Sequence, residues 1–474
     1  MTSPERLSLL NAPDDVNRTL GMLSEELEAK QARNLLRASY YDGKRAVRQV
    51  GTIIPPQYYR LAIVLGWSAK AVDLLARRCN LDGFVWPDGD LNSLGLGELA
   101  EANRLKSRIN SALIASLQHG PAFLINTRGD ESAGESASLI HVKDALSATG
   151  EWNSRRQRLD NLLSITGRDK EGKTTSFALY LDGVTYDAVK DNGKWSWERS
   201  EHPWGVPAEA LPYRPDERRP LGRSRISRSV MSLHDQGLRA VIRLEGHMDV
   251  YSFPEMWMLG ADESIFKNPD GSQKASWQVM LGRIKGIPDD EEATNPRADV
   301  KQFPASSPAP HLAQLNALAK MFAREASLPD TSVAITDIAN PTSADAYDAS
   351  QNELIAEAEG ATDDWTPPLC RAVVRGLAIQ NQDAGLLQAM PTFDAKWRSP
   401  RFLSRAQMAD SGQKTIASVP WLAETEVGLE LLGLTEQQID RAMADRRRMG
   451  GSAALRQIAE VAAARQVNGD GPAA

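Results

Sequence analysis

Apolar residues in the first 120 positions recur at the three- and four-residue spacing of amphipathic helices. The clearest series has an apolar residue at every fourth position: Leu105, Ile109, Leu113 and Leu117. Residues four apart lie on the same face of a helix, so this series predicts a helix with one buried side. Gly120 and Pro121 follow it directly and are expected to end it. The first quarter of the chain is therefore predicted to be mainly helical.

Between about residues 121 and 200 the period of the apolar pattern falls to two. Apolar residues alternate with other residues on both sides of Asp182-Gly183, and Asn192-Gly193 precedes a further alternation that contains Trp195 and Trp197. Alternation places successive side chains on opposite faces of a strand, and Asp-Gly and Asn-Gly favour tight hairpin turns. This part of the chain is predicted to form an antiparallel meander.

A proline-rich segment, HPWGVPAEALPYRPDERRPLGRS, leads from this sheet into a helix predicted over residues 223–248. Proline lacks the N–H that a central strand needs, so the segment is expected to leave the sheet. In the helix, seam positions recur at steps of three and four: Ile226, Val230, Leu233, Gly237, Val241, Leu244 and Met248. Such a seam indicates packing along the whole helix, and Gly237 would allow another backbone to approach closely.

A second amphipathic helix is predicted in HLAQLNALAKMFAREAS, after a mixed region at residues 253–308. Its apolar side contains Leu312, Leu315, Leu318, Phe322 and Ala326. The two helices are therefore expected to enclose the mixed region as a small subdomain. A loop follows the second helix.

Two further helix starts are indicated by capping residues. Thr342 and Asp345 have the spacing of a capping box, which predicts the start of a long helix after the loop. Pro367-Pro368 is expected to break or kink that helix, because proline removes a backbone donor and its ring crowds the preceding turn. Near the end of the chain, Thr435 and Gln438 indicate another helix start.

Composition narrows the class of protein. A chain of 474 residues has material for two to four structural regions. Its 55 basic and 62 acidic residues give a formal charge of −7, which argues against a protein whose main function is to bind nucleic acid tightly. Cys79 and Cys370 are too few for a disulfide framework and are expected in the core of a reduced protein. A secretory start and a run of about 18 apolar residues are lacking, so a soluble protein with no membrane partner is expected.

Candidate chemical motifs are few. No cofactor is expected, since there is no glycine-rich nucleotide-binding motif and the six histidines, each interpreted as structural, show no metal-ligand spacing. Ser343 lacks the G-x-S-x-G context of a hydrolase nucleophile. The acidic run at 289–292 is better explained as an exposed loop than as a nuclease metal cluster, because adjacent carboxylates cannot all converge on one cation. The five arginines between 218 and 228 leave two interpretations open: contact with phosphates or an acidic protein surface, or a solvated helix start with local salt bridges.

The segments GRSRIS, NPTSADA and LLGLTEQQ occur in an order and spacing that resemble those of the portal proteins of tailed bacteriophages, of the long-tailed kind. The resemblance spans nearly the whole chain and includes no catalytic motif. It implies an α+β portal fold. The implied regions are a wing (1–222), a first stem helix (223–252), a clip (253–308), a second stem helix (309–328), a tunnel loop (329–341), a long kinked helix (342–385) and a helical crown (386–474).

This resemblance implies a structural protein rather than an enzyme. In that family the subunits close into a ring, typically dodecameric, at one vertex of the capsid, and double-stranded DNA passes through its channel during packaging and ejection. The implied partners are further copies of the chain, the large terminase subunit, the scaffolding protein, the major capsid protein and the head-tail connector or adaptor protein. The ring would nucleate capsid assembly in the host bacterial cytoplasm and remain in the virion. The alternative is a DNA-processing hydrolase whose site the sequence does not reveal.

The resemblance also assigns three sets of functional residues. The tunnel loop would bring to the DNA channel Asp330, Thr331, Ser332, Asp337 and Asn340. The stem would form subunit interfaces through Ile226, Val230, Leu233, Gly237, Val241, Leu244, Leu315 and Phe322. The clip would present to partner proteins Asp289, Asp290, Glu291 and Glu292.

The loop and the stem each carry a further expectation. The loop has two aspartates and no basic residue, so it is expected to touch DNA without binding it tightly. Each lysine or arginine on a phosphate would add affinity and oppose sliding. Replacement of Gly237 by leucine is expected to impair ring assembly more than folding, because the new side chain would intrude where helices approach each other.

Overall fold

The structure, a computed structural model, divides into two compact units, Met1–Pro400 and Arg401–Ala474. It describes residues 7–44, 63–251, 256–259, 268–272, 284–287, 299–302, 306–334, 344–401, 404–435 and 437–449. Helix and strand are both present in quantity, and the α+β class predicted from the sequence is confirmed.

The first part of the chain is mainly helical, as predicted. Its elements are α1 (Asp14–Tyr41), α2 (Trp67–Ala76), the short strand β1 (Leu81–Val85), α3 (Leu96–Ala102) and α4 (Leu105–His119). The predicted end of α4 is confirmed, because Gly120 has a φ of 112°, which a residue with a side chain rarely adopts. The Gly120 N–H donates to the Ser116 carbonyl at 2.7 Å and so satisfies one of the last helical carbonyls.

The predicted meander is confirmed as part of two antiparallel sheets. A three-stranded sheet has the order β3 (Ser138–Asp144), β2 (Pro121–Arg128), β9 (Ala208–Pro212). A five-stranded sheet follows chain order: β4 (Ala148–Asn153), β5 (Arg158–Arg168), β6 (Thr174–Leu181), β7 (Val184–Asp191) and β8 (Lys194–Glu201). Asn192 and Gly193, with φ of 46° and 80°, form the two-residue turn between β7 and β8.

Strand β6 explains why the five-stranded sheet has apolar side chains on both faces. Phe177 and Leu179 pack against the apolar side of α1, which includes Leu20 and Leu23. The intervening Ala178 packs on the other face with residues of β2 and β9. Since successive side chains of a strand point to opposite faces, both faces of this sheet are covered by other elements.

Two helices predicted to flank a mixed region are present and pack against each other: α5 (Arg228–Tyr251) and α6 (Ala309–Glu325). Helix α5 begins later than the predicted residue 223. Its start is set by Ser227, whose Oγ accepts the Val230 N–H at 3.2 Å and whose carbonyl accepts the Met231 N–H at 3.0 Å. Residues 223–227 instead form a non-helical segment in which residues 224–226 are buried, and the Arg225 N–H donates to the Leu117 carbonyl at 2.8 Å.

Between α5 and α6 the described residues include a three-stranded sheet. Strand β10 (Met256–Leu259) lies in the middle, parallel to β11 (Ile284–Ile287) and antiparallel to β12 (Asp299–Gln302). The turn predicted at Asn268–Gly271 is confirmed by a hydrogen bond of 2.9 Å from the Gly271 N–H to the Asn268 carbonyl, with Gly271 at a φ of 82°.

Helix α7 (Ala344–Gln380) continues for 37 residues with Pro367 and Pro368 inside it. Of the predicted break or kink, the break is wrong, and the kink stays a prediction. Trp365 and Leu369, on either side of the prolines, are both fully buried in the largest core cluster. Each proline removes a backbone donor, which destabilises a helix. The burial of Trp365 and Leu369 outweighs this loss.

The crown was predicted to begin at residue 386, and this boundary stays a prediction, although the two compact units divide later, after Pro400. Helix α8 (Leu386–Ala389) is followed by β13 (Asp394–Trp397), which pairs antiparallel with β1. Residues up to Pro400 therefore belong to the first unit. This pairing could not be predicted from local patterns, because the two strands are far apart in the sequence.

The second unit contains α9 (Arg405–Ser418), a short 3-10 turn (Pro420–Glu424), α10 (Glu426–Leu431) and a helical stretch at 437–449. Ser404 and Gln407 form a complete capping box at the start of α9. The helix start predicted at Thr435 and Gln438 is confirmed, since the Gln438 side-chain oxygen accepts the Thr435 N–H at 3.0 Å.

Both cysteines are buried in the first unit, as predicted. Cys79 is 2% and Cys370 9% exposed. Burial raises the pKa of each thiol to about 12, so neither is a thiolate at neutral pH. Among the described residues, no helix combines the length and the apolar character needed to cross a membrane.

Candidate functional site: the stem and the base of the loop

The stem residues predicted to contact a neighbouring subunit divide into two groups. Four of them lie in the core of this chain, with 0 to 9% exposure: Ile226, Val230, Leu233 and Phe322. They belong to the cluster that joins α2, α4, α5, α6 and α7. Their assignment to a subunit interface is corrected, because a side chain already buried within one chain has no surface to offer to another.

Gly237 is also buried against its own chain. A Cβ placed on Gly237 would lie 2.5 Å from the Trp67 ring and 2.9 Å from a Leu65 methyl group. Real Cβ atoms do not approach other atoms so closely. Gly237 therefore accommodates the Trp67 ring of α2, and the close approach predicted at this position is made within one subunit.

Replacing Gly237 with alanine is consequently expected to lower the free energy of unfolding by about 1–3 kcal/mol, since it overpacks a buried contact. Gly360 in α7 is the matched control because a Cβ added there meets nothing within 4 Å. Gly360→Ala is expected to stabilise the protein by about 0.5–1 kcal/mol. Denaturant unfolding of the two variants measures both effects. Equal effects of the two substitutions would show that the contact with Trp67 is not made. Because leucine is larger than alanine, Gly237→Leu is expected to prevent the subunit from folding rather than to act first on ring assembly.

The remaining seam positions keep part of their surface. Val241, Leu244 and Leu315 are half-buried. Other large apolar side chains of the two stem helices are 41 to 57% exposed: Met248, Tyr251, Leu312 and Met321. Met248 was identified as a seam position and Leu312 as part of the apolar side, whereas Met321 lies outside the predicted pattern. Exposed apolar side chains along a helix pair are a candidate surface for further copies of the chain.

The loop after α6 starts from a defined helix end. Ser327 has a φ of 48°, the Leu328 N–H donates to the Ala323 carbonyl at 2.8 Å and the Ser327 N–H donates to the Arg324 carbonyl at 3.3 Å. These two bonds and the left-handed residue form a Schellman motif, which fixes the direction in which the chain leaves the helix. Leu328 is buried, so the first residues of the loop are held against the core.

Arg225 lies at the point where this helix end meets the rest of the first unit. Its side chain is 3% exposed. One guanidinium nitrogen donates to the Ala326 carbonyl at 2.5 Å, and another donates to the Tyr213 hydroxyl at 2.8 Å. Nε donates to the Ala71 carbonyl of α2. Three separate parts of the chain are therefore tied to one planar cation, whose several N–H groups suit such a junction.

Glu357 of α7 supplies the balancing charge. It lies 2.8 Å from an Arg225 guanidinium nitrogen, and the Tyr213 hydroxyl donates to the same carboxylate. Burial alone would raise the pKa of Glu357, but the positive charge of Arg225 and hydrogen bonds from Tyr213, Arg225 and Ser327 outweigh it and lower the pKa. The helix before the loop and the helix after it are thus joined through one buried ion pair.

The described part of the loop is a short polar turn. Asp330–Ser332 form a 3-10 turn in which the Ser332 hydroxyl donates to the Pro329 carbonyl at 2.6 Å. Lys70 of α2 donates to the Ser332 carbonyl at 2.6 Å, so a basic residue from outside the loop sits at its base. The side chains of Asp330 and Thr331 are exposed and that of Ser332 is half-buried. Two loop residues assigned from the sequence, Asp337 and Asn340, lie outside the described residues, as does the predicted cap at Thr342.

A second buried ion pair attaches α7 to the three-stranded sheet. Glu209 of β9, with a side chain 2% exposed, lies 2.8 Å from Arg371 and 2.7 Å from Arg375. Arg375 also donates to the Asn126 side-chain oxygen at 3.3 Å, and the Asn126 amide donates to the Ala372 carbonyl at 2.9 Å. The long helix is therefore bonded to both β2 and β9.

Neither interpretation of the five arginines between 218 and 228, contact with a partner or a solvated helix start, holds for all five. Arg225 is a core residue, and Arg223 forms an ion pair with Asp216. Arg218, Arg219 and Arg228 are exposed. Sequence reasoning missed the role of Arg225 because charge clusters do not indicate which member is buried.

The remaining candidates give no catalytic or metal site in the described part of the chain. The acidic residues 289–292 lie outside the described residues. Among the described residues, no group of three or more histidine, cysteine or acidic side chains could hold a metal ion. Two of the histidines make ordinary polar contacts: His234 is 2.9 Å from the Ser68 hydroxyl, and His141 is 2.9 Å from the Thr127 hydroxyl.

Comparison with known proteins identifies the family. The sequence model of the family described as Phage portal protein, SPP1 Gp6-like matches residues 22–443. The portal protein of Mycobacterium phage L5 is 23% identical over 389 residues, which cover 79% of this chain and 77% of the relative. The portal protein of Mycobacterium phage D29 is 25% identical over 390 residues, with the same coverage.

Solved structures with a similar chain include two necks of gene transfer agent particles. The chain in the neck of the native particle, computed with C12 symmetry, is 13% identical and has a TM-score of 0.41, covering 78% of this chain and 89% of that one. The chain in the neck of the empty particle is 14% identical with a TM-score of 0.42, covering 78% and 90%. The match of the family model over most of the length is the finding that decides the identity: the chain belongs to the SPP1 Gp6-like family of phage portal proteins.

Proposed function

We propose that this portal protein forms a closed ring, the channel through which double-stranded DNA enters and leaves the capsid. The observation that carries the proposal is the fixed base of the loop between α6 and α7. Arg225 and Glu357 join the helices on either side of it, and the Schellman motif at Ser327 sets its direction. A loop held in this way can contact a moving duplex while the surrounding scaffold stays rigid.

In this proposal the stem helices line or surround the channel, and the exposed apolar residues of α5 and α6 contact neighbouring copies. Head-to-tail contacts between identical subunits close into a ring when a whole number of the rotations between copies makes one full turn. The large terminase subunit, the scaffolding protein, the major capsid protein and the head-tail connector protein are the proposed partners. The ring would assemble in the bacterial cytoplasm, start capsid growth and remain at one vertex of the virion.

The charge of the loop fits a channel that does not bind DNA tightly. Duplex DNA presents a charge about every 1.7 Å, and every phosphate neutralised by a basic side chain adds affinity. Asp330 is exposed at the start of the loop, and the formal charge of each subunit is −7. A ring of such subunits repels DNA at long range, so contact with the loop is brief rather than adhesive.

Replacing Asp330 with lysine is therefore expected to tighten the binding of a short DNA duplex by the assembled protein. The slope of log affinity against log salt concentration should steepen by about 0.9 for each added phosphate contact. Fluorescence anisotropy of a labelled duplex across a salt series measures this effect. Asp191→Lys is the matched control, because Asp191 is an exposed aspartate at the end of a hairpin of the five-stranded sheet.

Two results would contradict the proposed role of the loop. Tight, strongly salt-dependent binding by the unchanged protein would mean that the channel already holds DNA. An equal gain from the Asp191 control would mean that added charge acts through the overall field and not through the loop. The alternative of a DNA-processing hydrolase has no observation among the described residues in its favour, and we do not propose it.

A further inference from the structure

A cleft of about 1120 Å³ lies in the first unit. It is bounded by α1, by β4 and by the segment from Arg218 to Ser229. Its walls include apolar side chains such as Trp152 and Leu221. The cleft therefore brings the arginine run together with a helix that lies almost 200 residues earlier in the chain.

The charges that line this cleft are strongly one-sided. Among the described residues, seven basic and two acidic side chains line it. Lys30 is paired with Glu26, and Arg223 is paired with Asp216. Four arginines make no ion pair within the described part of the chain: Arg33, Arg218, Arg219 and Arg228. An excess of unpaired guanidinium groups in a protein whose formal charge is −7 marks a local site for an anion.

Two groups that line the cleft, Arg37 and His119, have lowered pKa values. Burial, followed by the positive charges of Arg33 and Arg219, lowers the pKa of Arg37 to about 10. Burial also lowers the pKa of His119 to about 4, and its Nδ1 atom has no hydrogen-bond partner among the described residues. His119 is therefore neutral at pH 7, and the positive potential comes from the six arginines and Lys30.

We propose that this cleft binds an extended acidic segment of a partner protein. Guanidinium groups bind carboxylates through two parallel hydrogen bonds, and the apolar walls provide contacts for the side chains between the acidic residues. The volume is close to the range of clefts that enclose small ligands, which suits a few residues of peptide. A duplex instead needs an open basic stripe along its backbone, so a concave cleft with apolar walls favours the peptide. This inference goes beyond the proposed channel function and requires neither the loop nor DNA.

The test uses a fluorescein-labelled decapeptide of alternating glutamate and leucine and an otherwise identical peptide with glutamine in place of glutamate. Binding to the assembled full-length protein is followed by fluorescence anisotropy at two salt concentrations. The acidic peptide is expected to bind, more weakly at high salt, and the glutamine peptide is not. The double variant Arg33→Glu with Arg219→Glu is expected to weaken binding at least about tenfold, because both changes turn attraction into repulsion.

Matched controls separate the cleft from the general field of the protein. Lys170→Glu with Lys194→Glu changes the net charge by the same amount at exposed hairpin turns of the five-stranded sheet, and it should leave the affinity unchanged within about twofold. Arg33 and Arg219 are exposed, so circular dichroism and thermal unfolding should confirm that their double variant folds.

Each of four outcomes would overturn the proposal. The first is no binding of the acidic peptide, and the second is an equal loss of affinity in the control variant. The third is tighter, Arg33-dependent binding of a single-stranded oligonucleotide of the same charge, which would make the cleft a nucleic-acid site. The fourth is binding by unassembled subunits that is lost in the assembled protein, which would make the cleft a contact between copies of this chain.

Discussion

Replacing Arg225 with methionine is expected to lower the free energy of unfolding by about 3–5 kcal/mol, because it removes the buried cation of an ion pair and leaves Glu357 only the exposed Arg214, at 3.6 Å, as a cationic partner. Glu357, with a side chain 12% exposed, would lose the positive charge that stabilises its ionised form. The carbonyls of Ala71 and Ala326 would each lose a donor in the interior.

The matched control is Arg223→Met, two residues away in the same segment. The Arg223 side chain is 52% exposed and pairs with Asp216 at the surface. Its loss is expected to cost about 1 kcal/mol or less. Denaturant unfolding of both variants measures the difference. Similar costs for the two substitutions would mean that Arg225 does not join the end of α6 to α2 and α7 in solution.

Two further readouts distinguish a role at the base of the loop from a general loss of stability. Amide hydrogen exchange at residues 326–334 should accelerate in Arg225→Met more than exchange in the five-stranded sheet does. The double variant with Glu357→Gln should recover part of the loss, since it removes a carboxylate that has lost its nearer, buried cation. Equal acceleration throughout the first unit would contradict the assignment of Arg225 to the loop base.

The same ion pair predicts the sign of the pH dependence. The pKa of Glu357 in the folded protein is lowered from 4.5, so its contribution to stability is present above the unfolded value and is lost as the pH falls through the folded value. The protein with Arg225→Met should therefore lose less stability on acidification below about pH 4.5 than the unchanged protein does.

Replacing Glu209 with glutamine is expected to have the second large effect, again about 3–5 kcal/mol. Glu209 is 1% exposed and is the acidic partner of both Arg371 and Arg375. Without its charge, the side chain of Arg375, which is 9% exposed, would be a buried cation balanced by neutral oxygens only. The contact between α7 and the three-stranded sheet should weaken, because β9 is the strand that holds this carboxylate.

Glu201→Gln is the matched control for this substitution. Glu201 also lies in a strand and pairs with an arginine, Arg199, at 2.7 Å, but its side chain is 69% exposed. The control is expected to change the stability by less than about 1 kcal/mol. Chemical denaturation followed by tryptophan fluorescence compares the two. A cost below about 1 kcal/mol for Glu209→Gln would show that water reaches this ion pair and that it does not anchor the long helix.

The parts of the fold that local patterns could predict are those whose cause is local. The helix ending at Gly120, the hairpin at Asn192-Gly193 and the cap at Thr435 each follow from residues within one turn of each other. Of the break or kink predicted at Pro367-Pro368, the break was wrong, because the helix continues through the packing of Trp365 and Leu369, and packing is not visible in the local sequence.

The stem shows the same limit at the level of function. The spacing of apolar residues in α5 correctly indicates a helix packed on its neighbours, but spacing does not identify the neighbour. Here the seam from Ile226 to Gly237 is covered by elements of the same chain, including the Trp67 ring. Arg225 could not be separated from the exposed arginines around it, since its burial depends on Ala71 and Glu357, which are distant in the sequence.

The most direct test of the central claim is the mass of the purified full-length protein by native mass spectrometry, together with negative-stain images of the same sample. The account predicts closed rings of about twelve subunits with a central hole wide enough for a DNA duplex. A protein that remains a monomer or dimer, even after mixing with its scaffolding protein, would contradict it.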